Sequence, residues 1–143
     1  MENILASITM LDSMIVEFNI KNNEKISSEE KVNTKFQLGI GLPNEIKIEE
    51  DTNNFEIGLK VNVIMEDENE GRVITNIESE IKGIFAVCSK DKEQIINMLK
   101  FNGIPLLFQE IRAYITSVTS LSHNKTIILP MLNFFKFFEN EDK

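Results

Sequence analysis

Residues 54–67 read NFEIGLKVNVIMED. Phe55, Ile57, Leu59, Val61, Val63 and Met65 share one parity, and Glu56, Lys60, Asn62 and Glu66 share the other. Successive side chains of a strand point to opposite faces, so this alternation predicts a strand with one face buried and one in water. Residues 71–87, GRVITNIESEIKGIFAV, repeat the pattern, with Val73, Ile77, Ile81, Phe85 and Val87 expected inside and Asn76, Glu78, Glu80 and Lys82 outside. Between them lies EDENEG, a polar connection ending in glycine, and the pair therefore predicts a long antiparallel hairpin.

Upstream, KFQLGIGL (35–42) sets Phe36, Leu38, Ile40 and Leu42 at alternate positions before the turn pair Pro43–Asn44, and SMIVEFNI (13–20) alternates Met14, Val16, Phe18 and Ile20. Four strands in succession follow, joined by polar connections longer than tight hairpins, with Ile46 and Ile48 as candidates to extend the second strand. Gly39 and Gly41 fall inside a strand pattern, where they point to a bulge or a close backbone approach and not to a phosphate loop.

After Cys88 the period changes to that of a helix. Asp91 is placed to cap a short helix carrying Ile95, Met98 and Leu99, with Gln94 three residues on. Gly103 is expected to break it and Pro105 to open a second helix over 105–121, in which Leu107, Phe108, Ile111, Ile115, Val118 and Leu121 recur every three or four positions. Asn133 is placed to cap a last short helix that holds Phe134, Phe135, Phe137 and Phe138. Strands followed by helices, without βαβ alternation, predict an α+β domain spanning 1–143: a four-stranded antiparallel sheet followed by a short helix, a long amphipathic helix and a C-terminal helix.

A chain of 143 residues, 42% of them hydrophobic, suffices for one core. Its formal charge of −8 repels nucleic acid and anionic membranes and favours unfolded or basic polypeptides as partners. No apolar run has the length of a membrane span and no secretory signal precedes the first strand, so the expectation is a cytoplasmic protein without membrane insertion. The single cysteine, Cys88, excludes an internal disulfide, and its apolar company predicts a buried, inert thiol.

His123, the single histidine, reads as a loop residue, and its being alone excludes metal sites built on paired histidines and triads that rely on two of them. No phosphate-cradling motif exists, and the carboxylates lack a partner base, so the reading is of a chain that is not an enzyme and uses no cofactor or metal. Glu78 and Glu80 share the polar face of one strand, which is a solvated face or an acidic docking face. The phenylalanine cluster has two readings as well, a surface for apolar segments of other chains or a helix packed wholly on its own sheet. Helical spacing puts Phe134, Phe137 and Phe138 on one side and Phe135 about 100° away, so Phe135 is expected to be the exposed one.

From Leu107 onward, LFQEIRAYITSVTS…ILPMLNF resembles the SecB family of bacterial protein-export chaperones, which carries a similar LF-x-x-x-R-x-x-I-(T/S)-x-x-(T/S)-S run and then L-x-P-(I/V)-N-F. Phe108, Arg112, Ile115, Leu129, Asn133 and Phe134 fall in register, and Gly83, Ile84 and Phe85 match that family's G-G-I-F segment. The element order agrees over nearly the whole chain. The chain departs from the family in FQEIRAY, where a proline and an aromatic are usual after the phenylalanine, and in NFFKFF, which replaces an N-F-D-A-L run.

The resemblance implies a homotetramer built as a dimer of dimers, and a nucleotide-independent holdase that binds unfolded preproteins and delivers them to the SecA motor ATPase. By position it implies a client groove at Phe36, Leu38, Ile40, Phe134, Phe135, Phe137 and Phe138, and a motor-binding acidic face at Asp12, Glu17 and Glu78. Asn76 stands on that face where the family has an apolar residue. Some relatives serve the antitoxin of a toxin–antitoxin system, which makes an antitoxin the alternative partner. A third possibility is a small-ligand-binding α+β domain, whose mark would be an enclosed pocket with converging polar groups.

Overall fold

The computed structural model describes residues 7–27, 30–122 and 124–141. Four strands, β1 (Ile8–Asn22), β2 (Val32–Gly41), β3 (Thr52–Asp67) and β4 (Val73–Cys88), form one antiparallel sheet in the order β1-β4-β3-β2. They precede α1 (Lys92–Met98), α2 (Ile104–Ser120) and α3 (Phe134–Glu141). The expected α+β architecture is present. Because β1 and β2 occupy opposite edges, the connection between them crosses one end of the sheet, over the β3–β4 turn. It is tied down there by Asn23 N–H donating to the Ile74 carbonyl at 2.7 Å and by Arg72 bridging Glu24 and Glu70 at 2.8 and 2.7 Å.

On β3 every expected inward residue is buried, from Phe55 to Met65. On β4 Ile77, Ile81, Phe85 and Val87 are buried in the core, but Val73, expected inside, is exposed and its neighbour Ile74 is buried in its stead. A register shift between Met65 and Glu66 adds one residue to β4 there and inverts its parity beyond it. The same effect acts twice on β1, with shifts between Met10 and Asp12 and between Ile15 and Glu17. The inward set on β1 is therefore Ile8, Met10, Ser13, Ile15, Phe18 and Ile20, while Met14 and Val16, expected inside, are exposed. A single alternating pattern cannot survive a bulge, since each extra residue turns the following side chains over.

Other expectations are corrected by the same geometry. Ile46 is buried but lies in an irregular segment, as does Ile48, so neither extends β2. The β2–β3 ladder runs without a shift, and Gly41 faces Gly58 across it, so the Gly39–Gly41 pair marks no bulge. Cys88 is exposed, because Val87 beside it takes the inward place at the end of β4. His123 lies outside the described residues.

Asp91 caps α1 as expected, accepting from Glu93 N–H at 3.0 Å. Gly103 does not break the helix. Residues Leu99–Gly103 form a π-turn that carries α1 into α2, and the Ile104 N–H reaches back to the Leu99 carbonyl. Pro105 has no N–H to donate, so the helix must change its bonding pattern near it, and the π-turn stands immediately before it. Gly103 is needed for contact instead: a Cβ there would come within 2.7 Å of Ile57 Cδ1. Gly83 on β4 makes the matching accommodation, since its Cβ would lie 2.7 Å from Leu107 Cδ2. With both side chains absent, α2 settles onto β3 and β4, burying Ile104, Leu107, Phe108, Ile111 and Ile115. Thr119 takes the next buried place; Val118 is half-buried and Leu121, expected on the stripe, is 77% exposed beyond the helix end.

Candidate functional site

The helix layer leaves part of β2 uncovered, and α3 lies beside that gap. Asn133 Oδ1 accepts from Lys136 N–H at 3.2 Å, which caps α3 as its side chain and position predict. Phe134 and Phe138 are 7% and 5% exposed, Phe137 is half-buried and Phe135 is 69% exposed, so the four divide as helical spacing expects. Phe134 meets Phe108 edge to face at 5.6 Å, and Phe138 meets Phe101 in the same manner at 5.6 Å. Phe135 lies flat on Phe101 at 4.5 Å, with its outer face in solvent.

Two open hollows flank Leu132 and Asn133. The first, about 550 Å³, lies between β2 and the start of α3 and is lined by Phe36, Gln37, Leu38, Leu132, Asn133 and Phe137. The second, about 480 Å³, is on the other side, where Phe101, Pro105, Met131 and Phe135 meet the same Leu132–Asn133 pair and Phe134. Gln37 and Asn133 are the polar side chains lining the first hollow and Asn133 the one lining the second, and both hollows are open, whereas a small-ligand site is enclosed. A shallow, apolar, solvated trough of this kind can take side chains of an extended chain and offers little for catalysis.

The seven sequence-predicted groove residues are therefore distributed. Phe36, Leu38 and Phe137 come together in the first hollow, while Phe134 and Phe135 border the second. Phe138 is core, and Ile40 stands further along β2, outside both hollows. Missed by sequence reasoning were Leu132, Phe101, Pro105 and Met131. Leu132 and Met131 sit in an apolar run, ILPML, that follows no helical or strand period through Pro130, and Phe101 sits inside the π-turn, where a 3.6-residue count fails.

The segment that brings Leu132 to this place is extended and crosses α2. Ile127 and Leu129 point into the core, and Ile128 is 70% exposed. Ile127 N–H donates to Thr119 Oγ1 at 2.9 Å, the Thr116 hydroxyl lies 3.1 Å from the Ile127 carbonyl, and Arg112 Nε donates to the Leu129 carbonyl. At the segment's beginning Asn124 holds the β1–β2 connection, accepting from Ile26 N–H at 2.9 Å and donating to the Glu24 carbonyl at 3.0 Å.

Asp12, Glu17 and Glu78 are exposed on the opposite face of the sheet, where Asp12 stands across from Ile84, Glu17 from Glu80 and Glu78 from Asn19. That face is mixed in charge and apolarity. Lys82 stands between them with its Nζ 3.9 Å from Glu56, and Met14 and Ile84 join it around a shallow hollow of about 120 Å³. Among the described residues no cluster of His, Cys, Asp or Glu could hold a metal, and no helix is long and apolar enough to cross a membrane.

The family model described as preprotein translocase subunit SecB matches residues 14–143. No curated protein matches the chain. Among solved structures, the chain is similar to the Mycobacterium tuberculosis SecB-like chaperone Rv1957, determined in complex with a ChAD peptide from the Rv1956 HigA1 antitoxin. The likeness has a TM-score of 0.73 at 11% identity and covers 89% of this chain and 91% of that one.

Proposed function

Because the chain belongs to the SecB family of chaperones, we propose that it is an ATP-independent holdase that receives apolar side chains of unfolded polypeptides in the two hollows beside Leu132. The observation that carries this reading is the convergence of Phe36, Leu38, Phe137 and Leu132 on one open, apolar hollow at an uncovered part of the sheet. Apolar contact of this kind is tolerant of sequence, which suits a protein that must hold many unfolded chains. In the cytoplasm it would pass preproteins to the SecA motor, with Asp12, Glu17 and Glu78 as the docking carboxylates. A homotetramer, a dimer of dimers, fits the half-exposed Leu106 and Tyr114 on α2 and the outer edge of β1, which no strand pairs with among the described residues.

A second reading assigns the same hollows to an antitoxin in place of preproteins. It is favoured by one finding, the antitoxin peptide held by the structurally similar mycobacterial chaperone.

The test is suppression of aggregation of a slowly folding client without nucleotide, with the oligomer followed by light scattering. Suppression at near-stoichiometric amounts and a tetrameric mass are expected. A requirement for ATP, or no suppression at any ratio, would refute the holdase reading, and a monomer at micromolar concentration would refute the tetramer. Capture by the C-terminal region of SecA, lost on Glu78→Lys, is the expected result for the export reading. Absence of capture together with tight binding of an antitoxin encoded beside this chain would select the second.

A further inference from the structure

The segment 125–132 lies against a helix and not a sheet, yet its backbone is partly buried and its polar groups require partners. The α2 backbone is already bonded within the helix, so those partners have to be side chains. Arg112, Thr116 and Thr119 supply them from one stripe: a donor to the Leu129 carbonyl, a hydroxyl 3.1 Å from both the Ile127 carbonyl and the Arg112 carbonyl of its own helix, and an acceptor to the Ile127 N–H. The Thr119 hydroxyl in turn donates to the Ile115 carbonyl at 2.7 Å, which leaves its lone pair for Ile127.

The spacing fits. Four residues of helix rise about 6 Å, from Arg112 to Thr116, and two residues of extended chain advance about 6.6 Å, from Ile127 to Leu129. A polar stripe on α2 thus reads one register of the extended segment, as the edge of a sheet would. A slip by one residue would exchange buried Leu129 for Ile128 and turn every following side chain over.

We propose that Arg112 is a positioning residue for the client site: as the last post of this ladder, it fixes Leu129 so that Leu132 and α3 form the wall of the first hollow before any client arrives. The inference rests on the client-site reading of Phe36, Leu38 and Phe137. Pro130 follows the last fixed carbonyl and has no N–H of its own to anchor. Beyond it, Leu132, Asn133 and Phe137 are the residues that face Phe36 and Leu38 across the hollow. Ordering this wall in advance removes an entropic cost from client binding, which is how preorganisation raises affinity.

Arg112→Met keeps the length of the side chain and removes its donors, whereas Arg112→Lys keeps a charge and a donor. The experiment measures hydrogen exchange of peptides covering 131–138, affinity for an unfolded client, and thermal midpoint, on the intact protein and its oligomer. Arg112→Met is expected to speed exchange in 131–138 and to weaken client binding, each about tenfold, while exchange in β3 and β4 is unchanged. Arg112→Lys is expected to recover part of both. Phe36→Ser serves as the reference, losing client affinity with exchange in 131–138 unaltered.

Unchanged exchange in 131–138 with Arg112→Met overturns the positioning role. So does faster exchange spread evenly over the sheet with no recovery by Lys, since that is loss of global stability alone. If Phe36→Ser leaves client affinity intact, the client-site reading fails, and the exchange measurement still decides whether Arg112 orders the wall. Should Arg112→Met not fold, Thr116→Val removes the neighbouring post and is read by the same exchange.

Discussion

Phe85→Ala is expected to lower unfolding stability by about 3–5 kcal/mol, the range for removing a wholly buried aromatic ring. Phe85 is inaccessible to solvent and stands beside the two glycines that let α2 approach the sheet. A Cβ on Gly83 would lie 2.9 Å from its ring and one on Gly103 would lie 3.7 Å from it, so the ring fills the volume those glycines leave. The cavity left by alanine has no means to collapse, because Leu107 and Ile57 already hold helix and sheet in contact on either side. Denaturant unfolding at one fixed protein concentration measures the loss, since an oligomer's midpoint moves with concentration. Glu78→Gln, on the solvated face, is the comparison and is expected to change stability by less than about 0.5 kcal/mol. A loss below about 1 kcal/mol for Phe85→Ala would mean that the π-turn repacks around the gap, contrary to the packing described.

The four phenylalanines of α3 give the second large effect, and its value lies in the contrast. Phe134→Ala is expected to cost about 3 kcal/mol, because the ring is 7% exposed and packed on Phe108. Phe135→Ala is expected to cost less than about 1 kcal/mol, since its ring is already 69% exposed and would lose chiefly the stacking on Phe101. Client affinity is expected to fall about tenfold for Phe135→Ala with the oligomer intact, a loss on the scale of one well-placed aromatic contact. Thermal melts and client titrations on the two single variants check both halves. Equal destabilisation by the two substitutions would refute the division, and undiminished client binding by Phe135→Ala would remove the second hollow from the client site.

Most of the sheet was legible in the chain, and the reason is local. On β3 and the outer part of β4 the pleat alternates without interruption, so parity alone assigns Phe55 to Met65 and Ile77 to Val87 to the core. The caps at Asp91 and Asn133 were legible for the same reason, each depending on an amide two or three residues away. The turn of Phe135 away from Phe134 and Phe138 follows from helix geometry within one turn. Arg112 and Leu129 were visible only as parts of a family pattern, without any indication that one holds the other.

Contacts between distant residues decided the rest. Bulges on β1 are set by how that strand meets β4, and they turned Met14 and Val16 outward although their own alternation pointed in. Gly103 looks like a helix breaker by propensity, yet the approach of Ile57 makes its missing side chain a requirement inside a continuous helical run. The segment that leads to the hollow at Phe36 has no period of its own, and Arg112, Thr116 and Thr119, in the second half of α2, hold its backbone. Local repeats determined which residues face in, since they depend on the backbone's own geometry; tertiary packing alone determined where a face is left open, since an opening is the failure of two remote elements to meet.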